Sequence, residues 1–277
     1  MSSGYLFAQR MEWPFSSKEG LSLISHALFK TVKLYVIWSI IYLPFSVLDF
    51  YRSDIGLRSA ILTYIKDFFF VGEHYGSVIL WYLLASAYAF AIIWLFLKIK
   101  VNPWIIMTIG LVLICARNYV EIAVSSENVS ETVKILSKIM GANIVNKRLF
   151  DGLFYISFGM VSGRIRIPIL ADVFIMAAGF AGGVLFKNFS SFFVIVCALS
   201  LFGIAKSIKL SCVSERKILR RMSTGIYFIH FYVYYLISRL IFHQYNGIPA
   251  FLIVSSVTTA AVFAYIVISD AIRQKIR

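Results

Sequence analysis

Apolar runs of the length that a helix needs to cross a bilayer's hydrocarbon, about 20 residues, recur along this chain. Eight can be drawn, near Phe29–Phe50, Ser77–Leu97, Pro103–Val124, Leu149–Gly163, Pro168–Phe186, Ser190–Ala205, Met222–Phe242 and Pro249–Asp270. The fourth and sixth are short. Three of the runs open on proline, which suits a first helical turn because no backbone donor is lost there. A transmembrane barrel does not fit, since its strands are shorter and alternate with period two. The expected fold is all-α: a polytopic integral membrane helix bundle of about eight transmembrane helices, with residues 1–277 forming one domain.

Composition agrees. The chain is 60% hydrophobic and 14% charged, against ~25% charged in soluble domains. Folded in water it would expose large apolar patches, whereas lipid accepts such a surface. No polar stretch is long enough to enclose a soluble core of its own.

The net charge of +14 sits in short blocks between the apolar runs, as in Lys206, Lys209, Arg216, Lys217, Arg220 and Arg221. That pattern encodes membrane topology and lacks the clustered face that binds nucleic acid, so no nucleic-acid partner is expected. With eight crossings both termini share a side, and 17 of the 27 Lys and Arg fall on it. Both termini are therefore expected in the cytoplasm, with membrane lipids as partners. Cys115, Cys197 and Cys212 have no ligand-like spacing. Neither a disulfide framework nor a metal site is expected.

Two longer segments lie on the other side. Residues 51–76 mix Arg52, Arg58, Lys66 and Asp67 with aromatics and read as an interfacial amphipathic stretch. Residues 125–147 are polar and read as a short surface helix. Either segment suits a cover for an outward-facing site, or a plain connector. No internal repeat is visible. The opening Met1–Phe7 reads as the tail of a helix whose beginning lies upstream.

Individual residues offer chemistry. His230 lies inside an apolar run, where an imidazole needs hydrogen-bond partners; it is either functional or bonded to a neighbouring helix. His74, in an outer loop, is a weaker candidate base, and His26 and His243 sit near helix ends. Arg117 and Glu121 are spaced i, i+4 and Arg148 and Asp151 i, i+3, so each pair reads as an ion pair within one helix. They either line the outer mouth of a site or anchor helix ends. Asp172 suits the positive N-terminal end of its helix. Trp81 and Tyr82 are either an interfacial belt or a surface for substrate.

Four segments, in order, resemble the membrane-bound acyltransferase family 3. These are Ser3-Gly4-Tyr5-Leu6-Phe7, the basic-aromatic helix entry Lys30 to Trp38, Leu80-Trp81-Tyr82-Leu83, and Gly225-Ile226-Tyr227-Phe228-Ile229-His230; the run Phe154 to Met160 also resembles a helix of the family. The likeness is to the branch that O-acetylates enterobacterial common antigen and O-antigen. It implies an O-acyltransferase of the bacterial inner membrane, with acetyl-CoA as donor and a lipid-linked sugar or cell-surface polysaccharide as acceptor. Ser3, Gly4, Trp81, Tyr82, Arg148, Tyr227 and His230 become candidate substrate or structural positions. Arg10, Lys30 and Lys33 become candidates for holding the phosphates of coenzyme A, or serve only as topology signals. The chain departs from the family at Ile79, where a histidine often stands. The family's catalytic arginine and, ten residues on, histidine belong to a first helix expected upstream of Met1. The alternative is a non-catalytic membrane protein, as an inactive remnant or as a transporter- or flippase-like protein.

Overall fold

The computed structural model describes residues 1–13, 15–53, 55–72, 80–124, 130–132, 134–135, 148–208, 213–240 and 247–275. Among them are ten α-helices and no strand. Every one of the eight apolar runs holds a helix. The backbone divides into two compact units, Met1–Ile208 and Lys209–Arg277.

The first unit holds α1 (Ser2–Ala8), α2 (Lys18–Arg52), α3 (Leu57–Lys66), α4 (Trp81–Lys98), α5 (Pro103–Val124), α6 (Arg148–Ser162), α7 (Ile169–Leu185) and α8 (Ser190–Ser207). The second holds α9 (Val213–Leu240) and α10 (Ile248–Lys275). Among the described residues five helices, α2, α4, α5, α8 and α10, are long and apolar enough to cross a membrane. Helices α6 and α7 are apolar but shorter. The apolar stretch of α9 is diluted by Tyr227, His230, Tyr232, Tyr234 and Tyr235, and its first turns carry Arg216, Lys217, Arg220 and Arg221.

Helix α2 begins 11 residues before the apolar run inside it. Ser17 caps it, its hydroxyl oxygen accepting from the Gly20 N–H at 3.1 Å. A capping serine sets a helix start independently of hydropathy, so a search for apolar runs misses these first three turns. At 1.5 Å per residue, a helix of 35 residues is far longer than the hydrocarbon is thick, about 30 Å. The turns with Lys18, Glu19 and His26 therefore have room to project beyond it.

Helix α6 is the hub of the first unit. It packs against α1, α4 and α5, and small residues set each approach. A side chain on Gly152 would meet the Ala85 carbonyl of α4, and one on Gly110 of α5 would meet the Phe154 backbone. Against α1 the fit is reciprocal: a side chain on Gly4 would run into the Ile156 carbonyl, and one on Gly159 into the Met1 carbonyl. Close backbone approach through small residues is how helices gain contact where lipid supplies no hydrophobic drive. The short α6 thus lies inside the bundle, with Leu153, Phe154, Ile156, Met160 and Val161 all buried. Ile24 of α2, Ala89, Phe90 and Ile93 of α4 and Ile106 of α5 complete this core.

Helices α7 and α8 form a hairpin through a tight turn at Lys187–Phe189. Gly179 and Gly182 seat against Cys197 and Phe193, while Leu170, Phe174 and Phe180 face outward. The amphipathic stretch after α2 resolves into α3 and a π-type turn at Asp67–Val71. Two tyrosine hydroxyls hold that turn, Tyr35 donating to the Phe68 carbonyl at 2.6 Å and Tyr88 to the Phe69 carbonyl at 2.7 Å. Of the polar segment 125–147 only residues 130–132 and 134–135 are described, and there the Lys134 N–H donates to the Ser130 carbonyl at 3.1 Å. In the second unit α9 packs on α10, with Gly225 against Val262. The Arg221 guanidinium donates to both Asp270 carboxylate oxygens at 2.7 Å.

Candidate functional site

The first turns of α4, α6 and α8 meet the last turns of α5 around a cavity of about 450 Å³. Arg117 reaches it because α5 buries Ile106, Gly110 and Ile114 at helical spacing against α6, which carries the next turn onto the same side. Asp151, Gly152 and Tyr155 of α6 face it, as do Trp81, Tyr82 and Ser86 of α4 and Ser190 and Ser191 of α8.

One ion pair organises the polar part. Arg117 Nη1 donates to Asp151 Oδ2 at 2.9 Å, with side-chain exposures of 12% and 24%. The other side of the guanidinium, through Nε and Nη2, donates to Asn118 Oδ1 at 3.3 and 3.1 Å. Asn118 is 2% exposed, and its Nδ2 has no acceptor among the described residues. The guanidinium is thus clamped from two directions, its orientation set before any ligand arrives. Around it stand three helix N-termini, whose dipoles add positive potential. The cavity therefore favours an electron-rich or anionic group beside Arg117. At its edge Trp81 and Tyr82 form an edge-to-face pair, ring centroids 6.1 Å apart and planes at 88°. Flat apolar rings beside hydroxyls and a fixed cation suit a ligand with both apolar and hydroxyl-bearing faces.

The fold supplies a pairing that the sequence reading did not offer. Spacing joins Arg117 to Glu121 and Arg148 to Asp151, each within one helix; the fold joins Arg117 to Asp151 across two. A rule of i, i+3 and i, i+4 neighbours sees one helix at a time and cannot report which helices pack. The side chains of Glu121 and Arg148 lie outside the described residues.

The other candidates are distributed as follows. Gly4 is buried at the α1–α6 crossing, and Ser3 is exposed beside it. Arg10 lies in the turn after α1, and Lys30 and Lys33 lie on α2; all three are exposed and none lines the cavity. Tyr227 and His230 belong to the second unit, ring centroids 6.3 Å apart. His230 Nδ1 lies 3.0 Å from the Ile226 carbonyl of its own helix, not from a neighbouring one. A carbonyl only accepts, so Nδ1 is the donor in this contact. His26 is exposed on α2. His74, Ile79, Cys212 and His243 lie outside the described residues.

Sequence reading passed over Ser86, Asn118, Ser190 and Ser191, and met Tyr155 only within the family-like run Phe154 to Met160. Asn118 carried a usable signal, an amide beside an arginine inside an apolar run. The serines carried none, because serine is common in membrane helices.

No curated protein and no solved structure was found to match the chain. A family profile does match, over residues 1–267, and its description is an acyltransferase domain. That span takes in both units almost to the end of α10, and the helices beneath it are those of a membrane protein. The chain accordingly belongs to acyltransferase family 3, a family of membrane acyltransferases.

Proposed function

We propose that the protein moves an acetyl group from acetyl-CoA to a hydroxyl of a bacterial cell-surface polysaccharide or lipid-linked sugar. We place it in the bacterial inner membrane with both termini in the cytoplasm. The observation that carries this reading is the cavity between α4, α5, α6 and α8, where an aromatic pair and a clamped arginine share one wall with serine hydroxyls. A sugar offers the complementary faces: apolar C–H surfaces for Trp81 and Tyr82, hydroxyls for the serines. A phosphate on a lipid-linked sugar, or the oxyanion of an acyl-transfer intermediate, suits Arg117 and the helix N-termini. In the reaction the sugar oxygen attacks the thioester carbonyl carbon, the carbon–sulfur bond breaks, and the hydroxyl proton passes by way of a base to the coenzyme A thiolate. Arg117 and Asp151 position the acceptor. Arg10, Lys30 and Lys33, on the basic side of the chain, are the groups proposed to meet the donor's phosphates. Tyr227 and His230 carry the likeness to the family, with the imidazole held through Nδ1 on the Ile226 carbonyl.

The test is transfer of label. Bacterial membranes containing the protein, expressed from its natural reading frame, are supplied with acetyl-CoA labelled in the acetyl group. Alkali-labile label and an added acetyl mass are then sought in the glycan fraction. Trp81→Ala is expected to lower the transfer roughly tenfold, the scale of losing one aromatic contact. Absence of label from every glycan fraction, with folded protein in the membrane, would sink the proposal.

A further inference from the structure

A second cavity, of about 280 Å³, lies at the opposite ends of α6 and α8, where they meet the start of α7. Most of its wall is apolar, from Phe158, Ile175, Val196, Leu199 and Phe202. Two charged groups face into it, Asp172 of α7 and Lys206 of α8. Asp172 is only 4% exposed. Its carboxylate has neither a hydrogen bond nor an ion pair among the described residues, and no ion pair joins it to Lys206. Its seat is shaped for it, because a side chain on Gly203 of α8 would collide with the carboxylate. Lys206, one turn beyond Gly203, is held in place. Its ammonium donates to the Ser162 and Ile165 carbonyls, both at 2.9 Å, closing the end of α6. An ammonium has three donors, so one remains for a further acceptor.

A buried carboxylate without a partner is costly, and its placement beside a fixed ammonium in an otherwise apolar cavity calls for a ligand of two poles. The cationic pole must donate hydrogen bonds to Asp172, and the anionic pole must accept from Lys206. The remainder must be apolar, because the wall is, and because Ile167 of the lining is itself exposed. The volume takes a headgroup and leaves longer chains outside. The cavity sits at helix ends, beside Arg164 and Arg166, at the depth where headgroups lie if these helices cross the bilayer. We propose that this cavity binds the headgroup of a membrane phospholipid bearing a primary ammonium, the ammonium on Asp172 and the phosphate on Lys206. This does not depend on the acetyl-transfer reading, since it uses none of the residues assigned there.

The experiment is lipid binding to the purified full chain by native mass spectrometry, with phosphatidylethanolamine, phosphatidylglycerol and phosphatidylcholine of matched acyl chains. Phosphatidylethanolamine is expected to bind about tenfold tighter than the other two. Phosphatidylglycerol has no ammonium, and the quaternary ammonium of phosphatidylcholine has no N–H to donate. Asp172→Asn, nearly identical in shape, is expected to lower phosphatidylethanolamine to the level of phosphatidylglycerol. Equal binding of the three lipids by the unmodified protein would overturn the proposal without reference to any variant. So would a preference that survives Asp172→Asn. Displacement of the lipid by soluble phosphoethanolamine at equal concentration would overturn the assignment to a lipid and assign the cavity to a soluble zwitterion.

Discussion

The two cavities share α6 and α8 as walls yet treat charge in opposite ways. At one end Arg117 and Asp151 satisfy each other at 2.9 Å, with Asn118 as a third member. At the other, Asp172 is buried with no partner among the described residues, while Lys206 is occupied by helix-end carbonyls. A paired and clamped charge sets the geometry of a cavity before a ligand enters. An unpaired one waits for a partner, and the fold bears the cost of desolvation until it comes. The difference suits the roles proposed above, the first cavity a preorganised site and the second one completed by what it binds.

The comparison can be broken by removing charges one at a time, and the largest effect is expected at the pair. Arg117→Leu removes the guanidinium that Asp151 meets at 2.9 Å and is expected to cost about 3–5 kcal/mol, read by denaturation of the detergent-solubilised protein. The double variant with Asp151→Leu should recover most of that loss. Full stability of Arg117→Leu alone would remove the distinction between the two ends. The second test asks whether α6 is the rigid wall that the comparison needs. Gly159→Val forces α1 away from α6 and is expected to cost roughly 1–3 kcal/mol as overpacking, seen as a lower yield of monodisperse protein. An unchanged yield would mean that the α1–α6 approach is not a constraint.

Asp172→Asn sharpens the contrast, because its sign should be reversed. With no lipid added, removing this charge is expected to raise stability by roughly 1 kcal/mol, whereas Asp151→Asn should lower it. A loss at both positions would show that Asp172 is compensated in the free protein. The smallest effect belongs to the second unit, where Arg221 and Asp270 are paired but 33% and 45% exposed. Asp270→Asn there should cost under about 1 kcal/mol and fade as salt is added. A loss as large as that of Arg117→Leu would mean that pairing, not burial, governs the cost.

Much of the architecture was legible before any coordinates. Apolar runs long enough to cross a bilayer leave the backbone one economical way to satisfy its hydrogen bonds, so a helix stands at every predicted position. The amphipathic stretch near residues 51–76 was legible for the same reason: periodicity is local. The start of α2 was not, because Ser17 sets it and hydropathy does not register a cap. The candidate site was legible in part. Trp81 and Tyr82 were singled out and do line the first cavity, whereas Gly4, Ser3, Arg10, Lys30 and Lys33 lie elsewhere. Arg117 and Asp151 were noticed as charges, but their pairing across two helices was not.

What the sequence determined by itself was therefore the helical class, the positions of the helices and the family. Those follow from interactions between residues a few positions apart and from the number of apolar residues in a row. What only the tertiary structure decided was which charges are paired and which stand alone. Arg117 and Asp151 are 34 positions apart, and Asp172 fills the space above Gly203 on another helix. Such contacts depend on which helices lie side by side, a choice made by the small residues at Gly4, Gly110, Gly152 and Gly159, where backbones approach closely enough to decide what meets.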